Sequence, residues 1–159
     1  MIQLFTELQE KKNVRSNLSA LRASLKEATE EQKAQAIEFV RGHEDLVFGF
    51  LQEEDAKTRK NAALLLGDLA VQNALQPLWK AYTREQTLFV KSAYLEAMKA
   101  LHAEEILSQL KDRLAELEGE PVTEENRKHR EAELRALRAI LIQYEGIDTH
   151  PVSYTHLRA

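Results

Sequence analysis

Asp55-Ala56-Lys57-Thr58-Arg59-Lys60-Asn61-Ala62-Ala63-Leu64-Leu65-Leu66-Gly67-Asp68-Leu69 is the stretch whose reading decides the fold. Ala62, Ala63, Leu64, Leu65, Leu66 and Leu69 cover more than half of a helical circumference, which is the pattern of a helix with neighbours on several sides. Asp55 supplies a carboxylate suited to an N-cap, and the helix is expected over 57–70. Gly67 inside it costs about 1 kcal/mol relative to alanine, a penalty tolerated where a second helix approaches closely. The spacing therefore predicts a central, buried helix with a crossing point at Gly67.

The same face returns 32 residues later, where Thr58, Ala62, Leu65, Leu66 and Leu69 are echoed by Val90, Tyr94, Ala97, Met98 and Leu101. A second frame precedes the first: Leu46 and Phe50, then Leu78 and Tyr82, then Leu110 and Leu114. Upstream, Val14, Leu18, Leu21 and Leu25 make a degenerate copy in which Arg22 stands in place of an apolar residue. Periods of this size signal stacked helical units, each of which needs its neighbours to bury its apolar face.

Outward from these units, Ile2, Leu4, Phe5 and Leu8 predict a short first helix ending at 11–13. Residues 30–41 predict an extra helix carrying Ala34, Ile37 and Val40 and stopped by Gly42. Leu46, Val47, Phe50 and Leu51 belong to a helix over 44–53. The next begins near Asn73, with Pro77 in its first turn behind a Gln76 cap, or else at a kink. The repeat fails where Val122, Asn126, His129, Arg130 and Glu133 would have to form a buried face. After a break at Gly119-Glu120-Pro121, Leu134, Leu137, Leu141 and Tyr144, with Ile140 beside them, form a narrow stripe on a final helix. One apolar face and one charged face suit a capping helix; a two-stranded coiled coil is the alternative. The expected fold is all-α: a right-handed α-solenoid of stacked antiparallel helix pairs over 1–118, a capping helix over 119–146, and a linker and tail over 147–159.

Composition agrees. Charged residues make up 30% and apolar ones 43%, while glycine and proline together number eight, a profile that favours helices. A chain of 159 residues suffices for one domain burying roughly 70% of its unfolded surface. The net charge of −4, from 22 basic and 26 acidic side chains, opposes a dominant nucleic-acid footprint and leaves room for a regional one. The absence of cysteine removes disulfides, thiolate nucleophiles and cysteine-based zinc sites, in keeping with a reducing compartment. With neither a signal-peptide pattern nor a stretch of 18 apolar residues, a cytoplasmic, monomeric protein with no membrane partner is expected.

No catalytic constellation stands out. His129 and Glu133 lie four apart, and His102 lies near Glu105, but neither pair has a third ligand, so both are expected as solvated surface residues and no metal is predicted. Glu96 is the only acid interrupting a strongly apolar run, and it is expected to face solvent rather than act as a general acid. Gly42, Gly49 and Gly67 are too scattered for a phosphate loop, and no serine sits in a nucleophile elbow. Neither catalytic nor cofactor-binding residues are expected.

The best functional lead is cationic. Lys57, Arg59 and Lys60 cluster at one turn, and Arg15, Lys91, Arg127 and Lys128 fall at comparable helix starts, so stacking would align them into a stripe for a phosphate or an acidic chain. The competing reading is intramolecular: the same cations pair with Asp55, Glu53, Glu54 and Glu85. Trp79 and Tyr82 could stack on bases, but their spacing places them between helices.

Residues 55–69 resemble the second helix of a HEAT repeat, in which an aspartate, an arginine four residues on, and then alanine, leucine and glycine recur. The likeness covers roughly 1–118 and is closest over 44–102. It implies a ladder in which Asp55 and Arg59 pair along the stack. In the following unit only Gln86 and Lys91 stand near those places, and Arg15 has only Asn13 nearby, so the ladder is expected to lapse on both sides. Asn13-Val14-Arg15, Arg59-Lys60-Asn61-Ala62, Leu88-Phe89-Val90-Lys91-Ser92 and Glu125-Asn126-Arg127-Lys128-His129 together resemble the HEAT-type N-terminal extension of bacterial S-adenosylmethionine-dependent RNA methyltransferases. That resemblance implies a substrate-recruiting module whose Lys57, Arg59, Lys60, Lys91, Arg127 and Lys128 contact RNA phosphates. The glycine-rich cofactor loop and the Asn-Pro-Pro-type catalytic loop of that family are not in this sequence, so S-adenosylmethionine would belong to a further part of a parent protein. The alternative is a protein–protein interaction scaffold.

Pro151-Val152-Ser153-Tyr154-Thr155-His156-Leu157-Arg158-Ala159 lacks acids and breaks the helical period. It resembles a translated sequencing adapter, which implies a native sequence cut near His150 with any following domain missing. The competing reading is a native, disordered tail.

Overall fold

The computed structural model describes residues 1–145, so the linker from 147 and the adapter-like tail lie outside the described residues. Among the described residues nine α-helices run in order: α1 (Ile2–Gln9), α2 (Val14–Leu25), α3 (Glu30–Gly42), α4 (Glu44–Phe50), α5 (Ala56–Asp68), α6 (Leu75–Arg84), α7 (Leu88–Ala100), α8 (Leu107–Glu118) and α9 (Arg127–Glu145). Short 3₁₀ turns, Gln72–Ala74 and Ala103–Ile106, lead into α6 and α8. No strand occurs among the described residues, and the protein is all-α as expected. It divides into two compact units, the first Met1–Leu101 and the second beginning at His102.

In the first unit α5 packs against both α2 and α7, with α1 on α2, α4 on α5, and α6 on α7. The repeated frame is buried throughout: Thr58, Ala62, Leu65, Leu66 and Leu69 on α5 and at its end, and Val90, Tyr94, Ala97, Met98 and Leu101 on α7 and at its end. Each fully buried leucine contributes about 1.5–3 kcal/mol, so these seams dominate the stability of the unit. Asp55 caps α5 as expected, its carboxylate accepting from the Thr58 N–H at 2.9 Å, and Glu96 is exposed. Helices α2 and α5 run in the same direction, because Arg15 meets Asp55 at their starts and Arg22 meets Asp68 farther along. The same holds for α5 and α7, where Arg59 reaches Glu85 and Gly67 lies on Ala97.

Several local expectations shift. Leu46 is only half-buried, because the seven-residue α4 turns Val47 and Phe50 inward instead. On α3 the buried residues are Ala36, Phe39 and Val40, while Ala34 is exposed and Ile37 half-buried. Phe39 decides that rotation: its ring stacks on Phe5 of α1 at 4.5 Å and on His43 at 4.5 Å. Gly42 does not stop α3; His43 does, serving as both the end of α3 and the start of α4. Thr29 opens α3 with a reciprocal capping box to Gln32. Pro77 is the third residue of α6 behind an Ala74 cap, still inside the first turn, where the missing N–H costs no helical bond.

In the second unit α8 and α9 pack antiparallel, as the pairing of Arg113 with Glu133 and of Leu117 with Arg130 requires. Leu134, Leu137, Ile140 and Leu141 of α9 are buried, and so are Leu110, Leu114 and Leu117 of α8. The Tyr144 hydroxyl accepts from the Ala103 N–H at 3.0 Å. Before α9, the Thr123 N–H donates to Asn126 Oδ1 and the Asn126 N–H to Thr123 Oγ1, a reciprocal pair that sets the start of the helix.

Candidate functional site

The cations singled out in the sequence meet different fates. Arg15 donates from Nε and Nη2 to both carboxylate oxygens of Asp55, at 3.0 and 2.8 Å. Arg59 does the same to Glu85, at 2.9 Å for each bond, and its remaining nitrogen donates to the carbonyls of Glu53 and Glu54 at 2.8 Å. The ladder expected to lapse therefore continues on both sides. Bidentate geometry fixes each guanidinium in one orientation. Lys57 is exposed, and Lys60 and Lys91 are half-buried. Arg127 and Lys128, both exposed, belong to the second unit, where Arg127 stands 3.9 Å from Glu124.

The intramolecular reading thus holds for Arg15 and Arg59, the two candidate arginines of the first unit. Glu85 was named as a partner in the sequence, but its place, in the extended segment before α7 and one residue ahead of Gln86, assigns it the ladder position that Gln86 was expected to hold. Its carboxylate also accepts from the Thr87 N–H at 3.2 Å and from the Tyr94 hydroxyl at 3.2 Å. Burial disfavours the Glu85 charge, yet the hydrogen bonds from Arg59 and Thr87 outweigh it and hold the carboxyl below the usual glutamate range. Glu85 in turn keeps Arg59 firmly protonated, while burial pushes the Tyr94 hydroxyl well above its ordinary value. The Asp55 carboxyl is held low by the Thr58 hydroxyl, with Arg15 adding to the effect.

This cluster forms the wall of an open cleft of about 660 Å³ between the α4–α5 and α6–α7 connections. Phe48, Leu51, Pro77 and Ala81 give it an apolar floor; Lys80 and Arg84, one helical turn apart, face it from α6, and Glu53 and Glu54 from the opposite connection. None of these residues pairs a nucleophile with a base. The Glu85 carboxylate at the base of the cleft is taken up by Arg59, Thr87 and Tyr94. Trp79 is half-buried and lies 5.4 Å, ring to ring, from the buried Tyr82 of the same helix.

In the second unit, His129 and Glu133 are not the solvated pair expected. Glu133 is 2% exposed, and its carboxylate takes the Arg113 guanidinium at 3.1 Å and lies 3.7 Å from His129 Nε2. The signal was present in the spacing: Glu133 stands four residues before Leu137 and seven before Ile140, on the buried stripe itself. Among the described residues no group of three histidines and carboxylates is placed to hold a metal ion, and no helix is long and apolar enough to cross a membrane. No protein-family model, curated protein or solved structure matches the chain.

Proposed function

We propose that the chain is a non-catalytic binding module of HEAT-like, α-solenoid character, a scaffold that presents the α4–α6 cleft to a segment of another protein. The observation that carries this reading is the pair of bidentate bridges, Arg15 to Asp55 and Arg59 to Glu85, joining the starts of three parallel helices in succession. Such bridges hold successive helix pairs in register, and a registered row keeps the connections between helices on one side, where a shared recognition surface forms.

The cleft favours a protein segment over RNA. Its floor is aliphatic and phenyl, its rims carry charges of both signs, and Arg15 and Arg59, two of the cations a phosphate backbone would need, are committed to carboxylates. Recruitment of RNA to a methyltransferase would then fall to Lys57, Lys60 and Lys91 in this unit, and to Arg127 and Lys128 in the other.

The test is affinity capture on the full chain, with and without nuclease. A partner that survives nuclease and is lost with Ala81→Arg, at the cleft floor, supports the scaffold. RNA that co-purifies, weakens with salt and is lost with Lys57→Glu/Lys60→Glu but kept with Ala81→Arg replaces it with the RNA-recruiting reading.

A further inference from the structure

We propose a second recognition site, independent of the cleft: the groove where the end of α2, the middle of α3 and the end of α5 meet takes an acidic peptide segment bearing an aliphatic anchor. The groove encloses about 430 Å³, and its apolar surface comes from Leu25, Ile37, Leu69 and Ala70. Around it stand Arg22, Lys26 and Lys33 against a single acid, Asp68. Three cations to one acid is the reverse of the whole chain, which carries a net charge of −4.

The repeat itself explains why a groove exists here. Arg22 occupies the position on α2 that Leu66 holds on α5, and Leu66 is wholly buried. A cation cannot fill that seam, so the side chain turns to Asp68, which fixes its Nε at 2.9 Å, and the space it does not fill stays open at the end of α2. Lys26, one turn farther along, and Lys33, on α3, are both exposed. Lys33 stands 3.7 Å from Glu30, whose side chain is 95% exposed. A pair of that kind contributes little and yields readily to a better-placed carboxylate.

The chemistry selects the occupant. A phosphate backbone satisfies the cations but leaves the aliphatic floor wet, and among the described residues no aromatic ring lines the groove on which a base could stack. A peptide with a leucine flanked by glutamates answers both features, placing the leucine on Leu25, Ile37 and Leu69 and its carboxylates opposite Lys26 and Lys33.

The experiment uses the full chain, isotopically labelled, titrated with the acetylated hexapeptide Glu-Glu-Leu-Leu-Glu-Glu and followed by amide shifts. The expected result is a set of shifts gathered at Arg22, Lys26, Lys33, Ile37, Leu69 and Ala70. Lys26→Glu/Lys33→Glu, at exposed positions, should weaken binding about tenfold, as two attractions turn into repulsions, and Lys57→Glu/Lys60→Glu should leave it unchanged. Shifts centred elsewhere, an affinity indifferent to the Lys26/Lys33 reversal, or equal binding by the peptide with both leucines changed to serine would overturn the proposal. So would larger shifts at these same residues with a single-stranded oligouridylate. Because Ala81 plays no part here, failure of the cleft reading leaves this result standing, and the reverse.

Discussion

Gly67 of α5 rests directly on the backbone of Ala97 in α7: a Cβ added at Gly67 would stand 2.9 Å from the Ala97 Cα and 3.2 Å from its Cβ. The first contact is with main chain, which cannot swing away, so the two helices would have to separate. Gly67→Ala gains about 1 kcal/mol of helix propensity and loses more through overpacking, which costs about 1–3 kcal/mol. The expected net effect is destabilisation, visible as a lower urea midpoint. A variant as stable as the parent would show that α5 and α7 are not held this closely.

Ala70 carries a left-handed backbone, with φ of 52°. It follows α5 in a Schellman arrangement: its N–H donates to the Gly67 carbonyl and the Val71 N–H donates to the Leu66 carbonyl, each at 3.0 Å. Left-handed geometry costs a residue with a Cβ about 1–2 kcal/mol, and glycine, against its own greater chain entropy, recovers part of it. Ala70→Gly should therefore stabilise the fold by about 0.5–1 kcal/mol, read from chemical denaturation. A loss of stability would mean that the methyl group contributes more on the groove wall than its backbone strain costs.

The Arg59–Glu85 bridge is the least exposed of the ladder, with side chains 17% and 6% accessible. Removing the guanidinium leaves a carboxylate facing Tyr94 without its main partner, and Arg59→Ala is expected to cost about 3–5 kcal/mol. Arg59→Ala/Glu85→Gln should cost less than Arg59→Ala alone. Because Glu85 titrates below its ordinary range in the folded protein, its contribution is complete above the unfolded value, about 4.3, and is lost as pH falls through the folded one. Urea midpoints should thus decline as pH drops below about 4.3, and less steeply in Glu85→Gln. Asp55, held low in the same sense, accounts for a residual slope. Equal slopes in the parent and Glu85→Gln would count against the bridge.

The helices were legible because a buried face writes itself into a 3.6-residue period, and Thr58 to Leu69 and Val90 to Leu101 each follow that period. Rotation about a short helix was not: on α4, Leu46 and Val47 are equally apolar, and only the packing of Phe50 decides which turns inward. Capping by Asp55 was readable from three residues of local sequence. Its bridge to Arg15, 40 residues away, was not, because a long side chain has a wide choice of partners and only tertiary placement selects one. Glu85 was legible as an acid but not as the ladder residue, since it precedes α7 in an extended segment that no helical period reaches. Arg22 shows the opposite case. Its break in an apolar frame was visible at once, and its consequence, a cation-rimmed groove, depends on α3 arriving alongside, which no repeat predicts.

Glu133 supplies the last test, in the second unit. Its side chain is 1% accessible and that of Arg113 is 22% accessible, with Nη2 at 3.1 Å from the carboxylate. A buried ion pair contributes little net stability over an apolar replacement, but breaking it from one side exposes the full desolvation cost of the other. Arg113→Met should therefore destabilise by about 3 kcal/mol, whereas Arg113→Met/Glu133→Leu, which extends the stripe of Leu137 and Ile140, should recover most of that loss. Amide exchange along α8 and α9 separates the outcomes: protection lost in the single variant and regained in the double. If the double variant is as poorly protected as the single, the pair is contributing specificity to the α8–α9 register that apolar contacts alone do not provide.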